Sequence, residues 1–153
     1  MVGHFILKIL RKLREKELKF KIVGSTIYSD DSVVSVSDGA DSLYLNNVIG
    51  LSNIIAGAGD DLVSISGLLD NSALYSGKGN DTIKISNINN RSSVYSGSGD
   101  DSIELISGIS SSSLLSEAGS DSVFISHLAS SSLIDIGIGN DTAIGANVAH
   151  DHR

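Results

Sequence analysis

The chain has 153 residues, a net charge of −7, 16 Gly, 5% aromatic residues and no Cys, Pro or Trp. That length holds one domain. The missing cysteines exclude a disulfide framework and thiolate metal sites, and no apolar run reaches the roughly 20 residues of a membrane span. Charge is unevenly divided: residues 1–22 carry seven Lys/Arg against two Glu, a balance of +5, and the remainder carries four against sixteen acids, −12. An acidic body of this kind excludes nucleic acid as its partner, because carboxylates and phosphates repel.

In chain order, Val2, Phe5, Ile6, Ile9, Leu10 and Leu13 recur at the i, i+3, i+4, i+7 spacing of an amphipathic helix. Lys8, Arg11 and Lys12 fall on its other faces. The helix is expected to cap whatever follows. Phe5, Ile6, Ile9 and Leu10, with Lys8, Arg11 and Lys12, are also candidate contacts for a membrane surface or for a second copy of the chain. The segment FILKIL is broken by Lys8 and lacks a cleavage site, so it does not read as a secretory signal. Leu18, Phe20 and Ile22 then alternate, which predicts a strand leading into the body.

From there a twenty-residue period governs the chain. Gly39, Gly59, Gly79, Gly99, Gly119 and Gly139 form one column, and Asp41, Asp61, Asp81, Asp101, Asp121 and Asp141 a second. Ser32, Ser52, Ser72, Ser92, Ser112 and Ser132 form a third. Apolar columns share the step: Val34, Ile54, Leu74, Val94, Leu114, Ile134, and Leu43, Val63, Ile83, Ile103, Val123, Ala143. A period of this length marks a solenoid. After each Asp the residues alternate, as in DTIKIS and DSVFIS, which predicts strands. A shorter strand, such as SVYS, precedes each glycine corner. The expected fold class is therefore all-β: a right-handed parallel β-solenoid, or β-roll, of about six coils with an N-terminal helical cap. Its domain would span 23–148, with 1–22 as cap and entry strand and 149–153 as a tail. Coils paired in parallel stack about 4.8 Å apart. The Ser column reads as a corner ladder of hydroxyls bonded to backbone.

The Asp column asks for more than a turn. Glycine supplies positive φ and Asp can cap a turn, yet two carboxylates about 4.8 Å apart repel by roughly 0.9 kcal/mol in water and about 3.5 kcal/mol at an effective dielectric of 20. Asn80 and Asn140, one position earlier, show that the corner uses amides where charge is not needed, and Asp60 and Asp100 add further charge there. A cation between coils would relieve the repulsion. Calcium, which takes six to eight carboxylate and carbonyl oxygens, suits loops that hold neither Cys nor His.

The strings GAGDDLVSI, GKGNDTIKI and GSGDDSIEL resemble the nonapeptide of repeat-in-toxin (RTX) proteins. The resemblance implies a β-roll whose Gly/Asp loops bind calcium between turns. It also implies an extracellular or cell-surface setting for a secreted protein. The implied calcium ligands are Asp41, Asp61, Asp81, Asp101, Asp121 and Asp141, with backbone at Gly57, Gly59, Gly77, Gly79, Gly97, Gly99, Gly137 and Gly139. The coil is a one-sided variant, with one such loop per twenty residues, and the copies at 37–41 and 117–121 depart most from the motif. No column pairs a nucleophile with a base, so no catalytic residue is expected. The expected function is a calcium-binding structural or adhesive module. The alternative is a calcium-independent solenoid that self-assembles, or docks to a membrane or cell-surface partner, through its basic helix.

Overall fold

The computed structural model describes residues 21–28, 33–36, 38–127 and 131–145. Every element in that set is a strand: β1 (Lys21–Tyr28), β2 (Val33–Ser35), β3 (Ser42–Ile49), β4 (Asn53–Ala58), β5 (Leu62–Asp70), β6 (Ala73–Lys78) and β7 (Thr82–Asn89). There follow β8 (Ser93–Ser98), β9 (Ser102–Ile109), β10 (Ser113–Leu115), β11 (Ser122–Ile125), β12 (Leu133–Asp135) and β13 (Thr142–Gly145). The helix expected over residues 2–13 lies outside the described residues, as does the tail at 149–153, and the described residues contain no helix.

Odd-numbered strands form a seven-stranded parallel sheet and even-numbered strands a six-stranded one, each in chain order. One strand from each sheet makes a coil, and pairing advances by twenty residues: Leu43 faces Val63, Val63 faces Ile83, and Ile83 faces Ile103. The result is a β-solenoid of about five turns, one fewer than expected. Tyr75 and Tyr95 report the coil spacing directly, their rings stacked with centroids 4.9 Å apart and 1° between planes.

Alternation puts one face of each strand inside. Leu43, Leu45, Ile54, Val63, Ile65, Leu74, Ile83, Ile85 and Val94 are buried in a narrow core running the length of the stack. The odd strands do not alternate to their ends. Register shifts between Leu45 and Val48, Ile65 and Leu68, and Ile85 and Asn87 bend each one. The extra residue rephases the pattern, so Leu43, Leu45 and then Val48 all point inward. Asn47 secures one bend by accepting the Leu68 N–H on Oδ1 at 2.8 Å.

The far corner is the expected serine ladder. The N–H of Ser52 donates to Ser72 Oγ, that of Ser72 to Ser92 Oγ, and that of Ser92 to Ser112 Oγ, each at 3.2 Å. The hydroxyls donate in turn to carbonyls of the preceding residues, Ile49, Asp70, Asn89 and Ser110 among them. Lys84 and Glu104 bridge two coils on the surface at 3.0 Å, an exposed pair of small energetic weight.

Glycine at the near corner is a requirement of stacking. Gly79 has φ +120°, and a Cβ there would lie well inside van der Waals contact distance of the Gly59 carbonyl oxygen in the preceding coil. Gly39, φ +137°, has nothing within 4 Å of where its Cβ would stand. Gly79→Ala should therefore lower unfolding stability by on the order of 3 kcal/mol and Gly39→Ala by about 1 kcal/mol, from backbone strain alone. Urea denaturation of the two variants checks the difference.

Candidate functional site

The near corner gathers Gly59–Asp61, Gly79–Asp81, Gly99–Asp101 and their equivalents into one edge of the solenoid. Gly57, Gly77 and Gly97 belong to strands and pair with each other, so the turn is tighter than the five-residue loop the motif suggested. The N–H groups of Gly59, Gly79 and Gly99 donate to the carbonyls of Lys78, Ser98 and Ala118 in the next coil at 2.7–2.9 Å. The degraded copy at 117–121 keeps the same path: Glu117 takes the place of glycine with φ +67°, and Ala118 bridges Ser98 and Ile138.

The aspartates point inward. Asp41, Asp61, Asp81, Asp101 and Asp121 are each 1–2% exposed, while Asp141 at the end of the stack is only partly buried. One oxygen of each carboxylate has a backbone partner. Asp61 Oδ1 accepts the Asp41 N–H at 2.8 Å, Asp81 Oδ1 that of Asp61 at 2.8 Å, and Asp101 Oδ1 that of Asp81 at 2.8 Å. Asp121 and Asp141 continue the series at 2.9 Å. The capping role weighed against metal binding is thus present, but between coils and not within a turn. It occupies one oxygen only. Oδ2 of Asp61, Asp81, Asp101 and Asp121 is buried without a hydrogen-bond partner.

A second ladder runs in the opposite sense on the outside. Asp60 Oδ1 accepts the Asn80 N–H, Asn80 Oδ1 that of Asp100, and Asp100 Oδ1 that of Ser120, each at 2.8 Å. Asp and Asn alternate there because the ladder needs only an Oδ1 acceptor, which either provides. The charge of Asp60 and Asp100 therefore carries no structural role in that ladder.

Sequence reasoning missed a column behind the aspartates. Val36, Ala56, Ser76, Ser96, Ser116 and Ile136 share the period, and the three serines are fully buried. Ser76 Oγ donates to the Ser96 carbonyl at 2.6 Å and Ser96 Oγ to the Ser116 carbonyl at 2.9 Å. Ser116 Oγ donates to no carbonyl of the next coil and has the Asp121 carboxylate within reach. The period was visible at these positions. Their inward placement follows from alternation with the inward Leu74, Val94 and Leu114, a consequence the sequence reading did not draw.

This environment sets the charge state. Burial pushes the carboxyls of Asp61, Asp81, Asp101 and Asp121 above the ordinary carboxylate range, and the backbone N–H on Oδ1 opposes it. Ser76, Ser96 and Ser116 lie beside Asp81, Asp101 and Asp121 and lower them in part. Asp61 is backed by Ala56 and has no such help. Its carboxyl is pushed up to about 7 by burial, with the neighbouring charges of Asp81, Asp41 and Asp60 adding to the rise.

A divalent hard cation fits part of this arrangement. The unpartnered Oδ2 atoms supply buried anionic oxygen, and the carbonyls of Gly59 and Gly79 face the next coil where a Cβ would otherwise stand. Among the described residues no three acidic or histidine side chains converge on one point, so any ion must draw on carbonyl and hydroxyl oxygens as well. No protein-family model matches the chain, and no match was found among curated proteins. The likeness to the RTX nonapeptide thus rests on the motif residues alone.

A carboxyl with a raised folded pKa binds its proton more tightly folded than unfolded. Its contribution to stability is fully present below the unfolded value of 3.8 and is lost as pH rises through about 7. Metal-free protein should therefore melt at a lower temperature at pH 8 than at pH 5. Asp61→Asn should flatten part of that slope and raise stability at pH 8 by on the order of 2 kcal/mol. Thermal melts across pH, in the presence of a chelator, check both.

Proposed function

We propose that this solenoid is a calcium-binding structural or adhesive module in which the ion bridges successive Gly-x-Gly-x-Asp corners and stiffens the stack. One observation carries the reading: four buried carboxylate oxygens, on Asp61, Asp81, Asp101 and Asp121, stand in register with no well-formed hydrogen bond, the last three having only a serine hydroxyl within reach. Buried polar atoms in folded proteins are nearly always satisfied, and an orphan calls for an ion, a water or a proton. A column of such orphans on charged groups favours a cation.

In this reading Asp61, Asp81, Asp101 and Asp121 supply the anionic oxygen, and the carbonyls of Gly59, Gly79 and Gly99 supply neutral oxygen. Asp41 and Asp141, at the two ends of the series, serve ions shared with a single neighbour. The protein does no chemistry on its ligand. Calcium acts by linkage: it binds the folded stack, where two coils offer oxygens together, and so opposes unfolding. Modules of this type outside cells work at calcium concentrations of roughly 0.1–1 mM, which matches the cell-surface setting that the RTX resemblance implies.

Addition of 2 mM calcium should raise the melting temperature at pH 7.5 by several degrees, as expected of about 1–3 kcal/mol of ligand-linked stabilisation. Excess EGTA should reverse it. Magnesium, which holds its waters more tightly and demands octahedral geometry, should give a smaller rise. A melt that does not respond to calcium contradicts the proposal.

A further inference from the structure

The serine column behind the aspartates extends the calcium reading, on which this inference rests. We infer that Ser76, Ser96 and Ser116 belong to the cation-binding corner, each supplying a neutral oxygen beside Asp81, Asp101 or Asp121, and that the corner at Asp61, backed by Ala56, is the weaker site. The stack would then be graded, with its tight sites in the middle coils.

The first support is where the hydroxyls are. All three serines are fully buried, and Ala56 shows that a small apolar residue fits the same column. A buried hydroxyl is unfavourable unless it finds a partner, so its presence in three successive coils needs a cause. The second is the direction of the hydroxyl proton. Ser76 and Ser96 send theirs to the carbonyl of the next serine. Each oxygen therefore keeps acceptor lone pairs, the form in which a hydroxyl serves a metal. A stacking ladder like that of the far corner would explain those two protons. It does not explain Ser116, whose buried Oγ donates to no carbonyl of the next coil and has only the carboxylate of Asp121 within hydrogen-bonding reach.

The third support is the donor count. Calcium requires six to eight oxygens, and among the described residues no three carboxylates converge to provide them. Neutral oxygens must make up the shell, and the serine column is a further buried source beside the carbonyls. At its ends the column turns apolar, with Val36 and Ile136 at the positions five residues before Asp41 and Asp141. Those corners have no hydroxyl to offer.

Calcium titration calorimetry on the full chain, paired with melting in a chelator, tests the inference through Ala56→Ser and Ser116→Ala. Ala56→Ser should add a hydroxyl at the Asp61 corner and tighten the weakest calcium site by about tenfold. Ser116→Ala should weaken one site by about tenfold, whatever the loss of its contact with Asp121 does to the chelated melt. If the unaltered protein binds calcium and both variants bind it with unchanged affinities, the serine assignment is overturned while the calcium reading stands. Variants that shift only the chelated melt overturn it equally, by showing the serines to be structural. If the unaltered protein takes up no calcium at all, the functional reading falls and this inference with it.

Discussion

The inter-coil hydrogen bond from one aspartate N–H to the Oδ1 of the aspartate twenty residues on is the contact around which the near edge is built. It fixes the repeat length, because the acceptor must arrive in register one coil later. It also fixes the composition of the corner. The backbone has to turn sharply and lie flat against its neighbour, so a glycine column flanks the aspartates, with carbonyls where side chains would stand. The outer ladder of Asp60, Asn80 and Asp100 closes the same turn from the other side with opposite polarity. Each corner peptide is thereby tied both to the coil before it and to the coil after it.

That solution carries an electrostatic cost. A hydrogen bond to a charged acceptor contributes about 1.5–3 kcal/mol, whereas two carboxylates about 4.8 Å apart repel by roughly 3.5 kcal/mol at an effective dielectric of 20. The ladder's own bonds do not clearly offset a fully ionised column, most of whose members have a like charge above and below. Two neutralising partners exist, a proton and a metal ion. The rise of Asp61 to about 7 shows how strongly the metal-free corner favours the proton. A cation held at Oδ2 would relieve the same repulsion while leaving Oδ1 on the backbone. The ladder and the ion are therefore compatible: they use different oxygens of one residue.

Much of this was legible from the sequence because the fold is written in columns. The parallel strands, their twenty-residue register, the core residues from Leu43 to Val123 and the serine corner all follow from residues repeating on one period. What was hidden depended on direction. The bend shifts the alternation by one residue after Leu45 and Ile85, where Val48 and Ile88 are next inward, and not after Ile65, where Leu69 is; Asn47 and Asn87 stand there with Gly67 between them, too weak a signal to announce it. The backbone partner weighed for the carboxylates was an N–H of their own turn, whereas the one they take is in another coil, invisible to local reading. Ser76, Ser96 and Ser116 went unremarked although each lies two residues after an inward Leu74, Val94 or Leu114, because small polar residues in a serine-rich chain were read as turn formers. The helix expected over residues 2–13 falls outside the described residues, so the cap rests on periodicity.

The most direct measurement is a crystal structure grown at pH 7.5 in millimolar calcium, with anomalous differences used to place the metal. Calcium peaks are predicted at successive corners, with Oδ2 of Asp81, Asp101 and Asp121 within about 2.3–2.6 Å of an ion and Oδ1 still on the backbone N–H. Corners that hold only water, or Oδ2 atoms that stay buried without a metal neighbour, would contradict a cation as the partner of the column.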